Sequence, residues 1–270
     1  MVGHDLSPSE KEQADRDGYV IREGVFDADE VVAIVDECER LLAEVVKDRN
    51  GTRYEVGSYV FDPDWLSGVT IKWEGQSDIV HGLEPFAHMW PALKDWALDP
   101  RFLDPMKHFC ADAEPILFTE KLNLKRPHVG GVNPLHQDFP YWEGFADDPA
   151  RTATAMLFLD DADLGNGTLQ VLPGSHTSGK WQTRTDRDLF GNLEADPTQE
   201  DGRDIVAVEV PAGSVVYFGS FLVHKSAQNT STRERRSLLY SYAPAGNRHS
   251  HDLVQAQREA ARRMKAEQSS

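Results

Sequence analysis

The sequence predicts a mainly β fold, a sandwich or barrel, with helices flanking it. From about residue 115 onward, seven or eight short runs rich in β-branched and aromatic residues alternate with Gly, Pro and Asp turns. The chain of 270 residues shows no internal repeat or linker, and all-β folds of this length form single units. We therefore expect one domain over 1–270, with helical support and strands over 1–112, the β core over 113–245 and a C-terminal helix and tail over 246–270.

Two helices are predicted near the N-terminus. Ser7 can cap the first helix, Pro8 suits its first position, and Glu10 completes a capping box. Asp27 followed by Glu30 opens the second helix, in which apolar residues recur at helical spacing. The intervening stretch GYVIREGVF indicates a short strand.

The middle of the chain is mixed, with a predicted strand at GVTIKW and short helices at PALKDWAL and DPRFLDPMKHFC. The strands expected for the β core are, in chain order, ILFTEKLNLK, LHQDFPYW, TATAMLFLD, GTLQVLPGS, DIVAVEV, SVVYFGSFLVH and RRSLLYSYA. A long polar stretch, 177–204, interrupts them. Loops of this length are uncommon in compact domains unless they are functional or mobile, so it is a candidate lid.

Composition excludes several classes of partner. The net charge of −17 argues against nucleic acid, because phosphate affinity comes from clustered Lys and Arg, and it slightly favours a cationic substrate. No apolar run is long enough for a membrane span, and the polar, acidic N-terminus does not resemble a signal peptide. The cysteines Cys38 and Cys110 form no disulfide framework. We expect a cytoplasmic protein with a small-molecule substrate and no obligate protein partner.

The stretch LHQDFPYW contains the first two candidate metal ligands. Alternation along a strand would point His136 and Asp138 to the same face. Alone, such a pair is equally a surface ion pair or a hydrogen-bonded pair in the core, and a metal site needs a third ligand. The stretch SVVYFGSFLVHKSAQN offers His224 at the far end of a late strand, with Ser226 on the same face.

Two histidines and one carboxylate leave about three positions open on an octahedral metal, the arrangement of non-haem Fe(II) oxygenases. Zinc more typically takes a closed tetrahedral set or an all-histidine catalytic one. Arg235 begins the strand that returns after His224, and its planar guanidinium can grip a distal carboxylate by two charge-assisted bonds. A dicarboxylate that chelates iron at one end and is held by Arg235 at the other describes 2-oxoglutarate.

At these residues the sequence resembles the phytanoyl-CoA dioxygenase family of Fe(II)/2-oxoglutarate-dependent oxygenases, from about 115 to 245 and more loosely in the N-terminal helices. LHQDFPYW matches the family's HQD motif, which implies His136 and Asp138 as iron ligands. NGTLQVLPGSH is similar to a strand and turn of the family.

The stretch HKSAQNTSTRERR matches the family's distal motif. The match implies His224 as the third iron ligand and Ser226 with Arg235 as the grip on the far carboxylate, with Arg236 as the adjacent alternative. His136, Asp138, His224 and Arg235 are accordingly the predicted catalytic residues.

In the same family, the strand before the HQD motif contributes inward polar side chains. Here that strand is FTEKLNLK, and alternation places Thr119, Lys121 and Asn123 on one face. Lys121 and Asn123 are therefore candidate contacts of 2-oxoglutarate. Gln137 also matches a family position near the cosubstrate, although strict alternation would turn it away.

The resemblance implies a double-stranded β-helix, a cupin-like jelly-roll of two facing antiparallel sheets. It also implies Fe(II) as cofactor, with 2-oxoglutarate and O₂ as cosubstrates, and release of succinate and CO₂. Family members that halogenate replace the carboxylate ligand by a small residue, so Asp138 implies hydroxylation or a related oxidation of an unactivated C–H bond. The sequence contains no cluster of basic residues that could bind the phosphates of coenzyme A. This favours a small polar or amphipathic metabolite as the substrate.

Several side chains are candidates to line the substrate pocket, although each can equally belong to the core: Phe139, Tyr141, Trp142, Tyr59, Trp73 and Lys72. Two other functions remain open at this point. A metal-dependent, cupin-like isomerase or lyase without oxygen chemistry has no need of the second carboxylate grip that Arg235 and Ser226 form. A non-catalytic jelly-roll binder of small molecules has no use for an open iron site.

Overall fold

The computed structural model describes residues 3–47, 49, 53–56, 59–64, 67–75, 77–184, 193–256 and 259, without the side chains of Val56 and Tyr59. Its helices are α1 (Pro8–Asp17), α2 (Ala28–Val46), α3 (Pro91–Ala97), α4 (Pro100–Phe109) and α5 (Phe139–Trp142). Three short 3₁₀ helices span Pro149–Arg151, Ser175–Ser178 and Pro197–Glu200. Residues 250–256 are also helical, and most of the predicted tail lies outside the described residues.

The strands form two antiparallel sheets. They are β1 (Tyr19–Arg22), β2 (Tyr54–Val56), β3 (Tyr59–Pro63), β4 (Thr70–Glu74), β5 (Val80–Glu84), β6 (Pro115–Lys125), β7 (Asn133–His136), β8 (Ala153–Phe158), β9 (Leu169–Val171), β10 (Val206–Ala207), β11 (Val215–Gly219), β12 (His224–Ser226) and β13 (Arg235–Pro244). The larger sheet has the order β1-β11-β8-β13-β6-β5-β4-β3-β2, and the smaller sheet has the order β10-β9-β12-β7.

The two sheets face each other across an apolar layer, as the predicted jelly-roll requires. Phe158 and Phe218 of the larger sheet pack there against Val171 of the smaller sheet and Leu222, which precedes β12. Inward residues of one sheet interdigitate with those of the other, so the mainly β fold with flanking helices is confirmed.

The helices cover the outer face of the larger sheet. Both predicted capping boxes are present, on Ser7 of α1 and Asp27 of α2. The apolar face of α2 packs on the sheet, and the hydroxyl of Tyr240 in β13 donates to the carbonyl of Leu93 in α3 at 2.6 Å. Cys38 lies in this layer, where burial raises the pKa of its thiol to about 12, so it is an inert core residue.

Two predicted strands end earlier than expected. LHQDFPYW stops being a strand at His136, and Pro140 lies in the first turn of α5, where a missing N–H costs nothing. SVVYFGSFLVH divides into β11 in the larger sheet and β12 in the smaller, because a turn closed by Leu222 N–H and the Gly219 carbonyl carries the chain across. His224 therefore begins a strand rather than ending one.

The base of the predicted lid is packed, while its tip, 185–192, lies outside the described residues. Thr183 and Ala195 form an isolated β-bridge. Trp181 and Ala195 are buried against Leu135 of β7, in the smaller sheet, and against Leu172 and Val223. Among the described residues, no helix is both long and apolar enough to span a membrane.

Candidate active site

His136, Asp138 and His224 meet at one end of the jelly-roll. His136 and His224 are register partners at the ends of β7 and β12, and Asp138 follows in the turn before α5. Nε2 of each histidine lies 3.9 Å from Oδ1 of Asp138. One ligand atom from each residue falls within 4.8 Å of the others, and no other such cluster exists in the described part of the chain. This spacing suits ligands that converge on one metal ion.

Backbone carbonyls fix the orientation of both imidazoles. Nδ1 of His136 donates to the carbonyl of Pro134 at 2.7 Å, and Nδ1 of His224 donates to that of Leu222 at 3.0 Å. The hydroxyl of Thr154 in β8 donates to Oδ2 of Asp138 at 3.4 Å. Each histidine therefore presents the lone pair of Nε2 to the site, and Asp138 presents Oδ1, before any metal arrives.

Burial changes the protonation of these ligands. It lowers the pKa of His136 well below the usual value, with the neighbouring His224 as the next cause. Burial also raises the pKa of Asp138, because a buried carboxylate loses its hydration. A divalent cation at this point supplies the charge that the buried Asp138 carboxylate needs, so the donor set fits Fe(II).

A buried guanidinium lies further inside the jelly-roll. Arg235 is 1% exposed and donates to the carbonyl of Gly167 and to Oγ of Ser237, each at 3.0 Å. Its Nε has no hydrogen-bond partner among the described residues, and burial lowers the pKa of the guanidinium to about 10. A buried cation with an unsatisfied donor is costly unless an anion joins it, so Arg235 fits the distal carboxylate of 2-oxoglutarate.

The adjacent Arg236 points to the opposite face of β13. It forms a bidentate pair with Asp160 at 2.7 and 3.0 Å and reaches Glu39 at 3.2 Å. These carboxylates raise its pKa. Of the two arginines, only Arg235 lines the cavity that contains the triad.

That cavity has a volume of about 90 Å³. It brings together seven of the eight predicted catalytic and cosubstrate residues: His136, Asp138, His224, Arg235, Ser226, Lys121 and Asn123. Its other lining residues were not predicted: Asn133, Met156, Leu169, Phe218, Lys225 and Leu239. Alternation in TATAMLFLD places Thr154 and Met156 on one inward face. The sequence could therefore have identified Met156 as a cavity residue and Thr154 as a partner of Asp138. Asn133, which donates to Oγ of Ser226 at 3.1 Å, carries no such signal.

Gln137 does not line the cavity, which corrects its assignment to the cosubstrate. Its Nε2 donates to the carbonyls of Gly179 and Phe221 at 2.8 and 2.7 Å, and its Oε1 accepts from the N–H of Trp181 at 2.8 Å. With these three bonds, the buried side chain links the base of the predicted lid to the turn that carries Asp138.

The predicted substrate residues fall in different places. Trp73 is 1% exposed in the core beneath the helices, on the opposite face of β4 from Lys72, which corrects its assignment to the pocket. Trp142 packs edge-on against Phe118 in a separate apolar cluster. The side chain of Tyr59 lies outside the described residues.

Tyr141 and Phe139 border the metal ligands. The ring of Tyr141 lies edge-on to His136 at 6.0 Å, and its hydroxyl accepts from the N–H of Leu193 in the predicted lid at 2.7 Å. Phe139 stacks on Phe221 at 4.4 Å. Tyr141 therefore contacts both His136 and Leu193, and Phe139, next to Asp138, packs against the turn before β12.

A jelly-roll that holds two imidazoles and a carboxylate beside a buried, unsatisfied arginine defines a non-haem iron oxygenase that uses 2-oxoglutarate. The family model described as phytanoyl-CoA dioxygenase (PhyH) matches residues 14–237, and the chain belongs to this family. It is a 2-oxoglutarate-dependent non-haem iron dioxygenase, with Fe(II), 2-oxoglutarate and O₂ as cofactor and cosubstrates.

Its relatives differ in their named substrates. Ectoine dioxygenase of Sphingopyxis alaskensis is 26% identical over 247 residues, which cover 87% of this chain and 74% of that protein. L-proline trans-4-hydroxylase of Streptomyces griseoviridis is 33% identical over 150 residues, 49% of this chain and 56% of the relative. The structure of EctD from S. alaskensis with 2-oxoglutarate and 5-hydroxyectoine matches with a TM-score of 0.70 at 24% identity, covering 92% of this chain and 79% of that one.

Proposed function

We propose that this protein hydroxylates an unactivated C–H bond of a small metabolite. One atom of O₂ enters the product, and the other enters the succinate that forms from 2-oxoglutarate with loss of CO₂. The observation that carries this proposal is the buried Arg235, which has no partner at Nε in the described part of the chain and lies in the same cavity as the triad. Ectoine and L-proline, after which two relatives are named, support a small polar substrate.

The residues have separate tasks in this proposal. His136, Asp138 and His224 hold Fe(II), which supplies the activation of O₂ when it is bound. Arg235 and Ser226 hold the distal carboxylate of 2-oxoglutarate. The triad leaves room for the keto-acid end of the cosubstrate because, among the described residues, only three ligand atoms converge on the metal position.

Apolar side chains close the cavity around these polar groups. Met156, Phe218 and Leu239 line it from the larger sheet, and Leu169 lines it from the smaller sheet. They exclude water, which strengthens the pairing of Arg235 with a carboxylate and limits side reactions of a strong oxidant. Asp138 in the ligand set favours hydroxylation over halogenation.

The two alternative functions are less consistent with these observations. A cupin-like isomerase or lyase leaves the buried Arg235 without a role, and a non-catalytic binder leaves three preoriented metal ligands without one. Membership in a dioxygenase family also favours the oxygenase.

The test is an anaerobic titration of the apoprotein with Fe(II) and then with 2-oxoglutarate. We expect the weak visible charge-transfer band of a keto acid chelated to iron, a weaker band with Arg235→Ala and none with His224→Ala. Metal binding without a band would overturn the assignment of the 2-oxoglutarate site and favour the isomerase. A protein that binds no metal would overturn the whole proposal.

A further inference from the structure

Lys125 is a buried lysine beside the arginine of the candidate cosubstrate site. It is the last residue of β6 and the register partner of Arg235 in β13. Residues directly opposite on neighbouring strands share a face, so Lys125 points to the inner face of the larger sheet, as Arg235 does. Alternation along β6 places it in one row with Lys121 and Asn123, which line the cavity of the triad. Lys125 itself is only 1% exposed, so this polar row continues into the protein interior.

The amino group of Lys125 joins two segments that border the cavity. Its Nζ donates to the carbonyls of Gly131 and Ala227, at 2.5 and 2.6 Å. Ala227 directly follows Ser226, and Gly131 comes two residues before Asn133. Ser226 and Asn133 both line the cavity and are hydrogen-bonded to each other at 3.1 Å. Lys125 therefore holds the backbone on both sides of a polar pair that includes the proposed grip on the distal carboxylate.

Gly167 packs against both cationic side chains. A Cβ at this position would lie 3.1 Å from Cδ of Lys125 and 2.5 Å from the carbonyl oxygen of Ala227. The φ of +75° also favours glycine here. The carbonyl of Gly167 accepts from Nη2 of Arg235 at 3.0 Å. The lysine, the arginine and the segment after Ser226 therefore form one tightly packed unit.

Neither cation forms an ion pair with a carboxylate of the described residues. Lys125 donates to two backbone carbonyls, and Arg235 donates to the carbonyl of Gly167 and to Oγ of Ser237. Burial lowers the pKa of Lys125 to about 6, with the charge of Arg235 as the next cause. Lys125 is therefore mostly an uncharged amine at neutral pH, and the two N–H groups of such an amine suffice for its two carbonyl partners.

The other charged groups that act on Lys125 lie on β4. Glu74 opposes the lowering of its pKa, and Lys72, which does not line the cavity, adds to it. Oε1 of Glu74 accepts from Nδ1 of His81 in β5 and from the N–H of Gly131, each at 2.7 Å. Burial lowers the pKa of His81 to about 3, so this imidazole is neutral. An anion that binds beside Arg235 is therefore the group that can change the protonation of Lys125.

We propose that Lys125 is a positioning residue of the 2-oxoglutarate site, which fixes the segment of Ser226 and takes up a proton when the distal carboxylate binds to Arg235. This inference rests on the proposed function and adds a second, titratable cation to the site. The bound carboxylate offsets the charge of Arg235, which otherwise keeps Lys125 uncharged. The proton comes from solvent and binds to the lone pair of Nζ.

The direction of the pH dependence follows from this coupling. Since the complex binds the proton more tightly than the free protein does, the pKa of Lys125 rises above about 6 when 2-oxoglutarate is bound. The contribution of Lys125 to cosubstrate affinity is then complete below about pH 6 and is lost as the pH rises through the pKa of the complex. A purely structural lysine would make the same two hydrogen bonds without any change in protonation.

The test is calorimetry of the Fe(II)-loaded protein with 2-oxoglutarate under anaerobic conditions, in buffers of different ionisation enthalpy. We expect an uptake of about half a proton or more per 2-oxoglutarate at pH 7.5. The Kd for 2-oxoglutarate, measured by the charge-transfer band, should rise at least about threefold between pH 7 and pH 8. Zero uptake by the wild-type protein would overturn the proposal, whether or not the variants fold.

Variants then assign the proton to Lys125. Lys125→Gln keeps two N–H donors but cannot be protonated, so we expect no proton uptake and a Kd that does not rise with pH. Lys125→Met also removes the donors and should weaken binding further at every pH, because the segment of Ser226 loses its tie. Lys94→Gln, on the exposed face of α3, is the matched control and should resemble the wild-type protein in both measurements.

The outcomes separate this inference from the proposed function. If the charge-transfer band forms but the wild-type protein takes up no proton, or if Lys125→Gln takes up as much as the wild-type protein, the assignment of Lys125 is wrong and the oxygenase assignment stands. A pH dependence of Kd that the wild-type protein shares with Lys125→Gln would arise elsewhere and would also contradict it. If the band itself is absent in the wild-type protein, the proposed function fails and this inference falls with it.

Discussion

At the scale of single residues, two adjacent arginines have different surroundings because β13 turns them to opposite faces. We predict that Arg235→Lys weakens 2-oxoglutarate binding at least tenfold, since an ammonium loses the planar fork that pairs with a carboxylate. Arg236→Lys should leave this affinity unchanged and cost about 1 kcal/mol of folding stability, because it breaks the bidentate pair with Asp160.

Two measurements check this prediction. The first is a titration with 2-oxoglutarate followed by the charge-transfer band, and the second is urea unfolding of each variant. The two substitutions are chemically identical and lie one position apart, so each is the control for the other. A loss of cosubstrate affinity in Arg236→Lys equal to that in Arg235→Lys would contradict the separation of the two faces.

Residue by residue, the sequence predicts the triad better than its surroundings. His136, Asp138 and His224 are found from spacing and from the family resemblance, but the strand alternation invoked for the pair is wrong, because β7 ends at His136 and Asp138 precedes a helix. Gln137 matches a family position and yet bonds only to backbone groups in the described structure. Such bonds join residues about 40 to 85 positions apart, which no local pattern reveals.

At the scale of elements, Glu10 links α1 to β1. Its carboxylate closes the capping box of α1 and also accepts from Arg22 in β1 at 2.7 Å, which lowers the pKa of Glu10 to about 2, with the hydrogen bonds from Ser7 as a further cause. The folded-state pKa lies below the unfolded value of about 4.5, so this stabilisation is complete above about pH 5 and is lost as the pH falls toward 2.

We therefore predict that Glu10→Gln lowers the free energy of unfolding by about 1–2 kcal/mol at pH 7, after allowance for partial solvent screening of the pair. The difference from the wild-type protein should shrink steadily as the pH falls from 5 toward 2, because the unfolded wild-type chain is protonated at this position below its pKa of about 4.5, whereas the folded protein is protonated only near its pKa of about 2. Urea unfolding across this range measures it, and a difference that does not depend on pH would show that the ion pair contributes nothing.

Gln137, in the turn after β7, binds the base of the predicted lid. Gln137→Leu removes three hydrogen bonds, from the buried N–H of Trp181 and from the partly buried carbonyls of Gly179 and Phe221. We predict a loss of about 2–4 kcal/mol in folding stability and faster amide hydrogen exchange around Trp181.

Gln199→Leu is the matched control for this variant. Its side chain accepts one exposed bond, from the N–H of Gln182, and its loss should cost less than about 0.5 kcal/mol. Equal effects of the two substitutions would show that the bonds of Gln137 do not hold the lid.

At the scale of the whole molecule, composition and strand pattern predict the fold class, but they do not predict how the strands assemble into sheets. β2, β3 and β5 were not predicted, because they are short strands of three to five residues and β5 contains a glycine. Yet β4 and β5 extend the larger sheet beside β6. A net charge summed over the chain likewise says nothing about which side chains a sheet turns inward.

Metal binding should act on the whole fold, because its ligands depend on both sheets. His136 and His224 lie in the smaller sheet, and Asp138 is held by Thr154 of the larger sheet. Ligands bound only by the folded state stabilise it by about 2.7 kcal/mol at a concentration one hundred times Kd. We predict that anaerobic Fe(II) raises the melting temperature at pH 7, that a chelator reverses the rise, and that His224→Ala abolishes it.

The rise in melting temperature with Fe(II) should also be smaller at acidic pH, because protons compete with the metal for the imidazoles and for Asp138. Thermal unfolding with and without Fe(II) measures both effects, and the metal-free His224→Ala variant shows whether the histidine contributes to stability by itself. An equal rise in His224→Ala would mean that iron binds elsewhere. The rise in melting temperature with Fe(II) therefore tests whether residues held by both sheets bind one ion, as the geometry of the three preoriented ligand atoms requires.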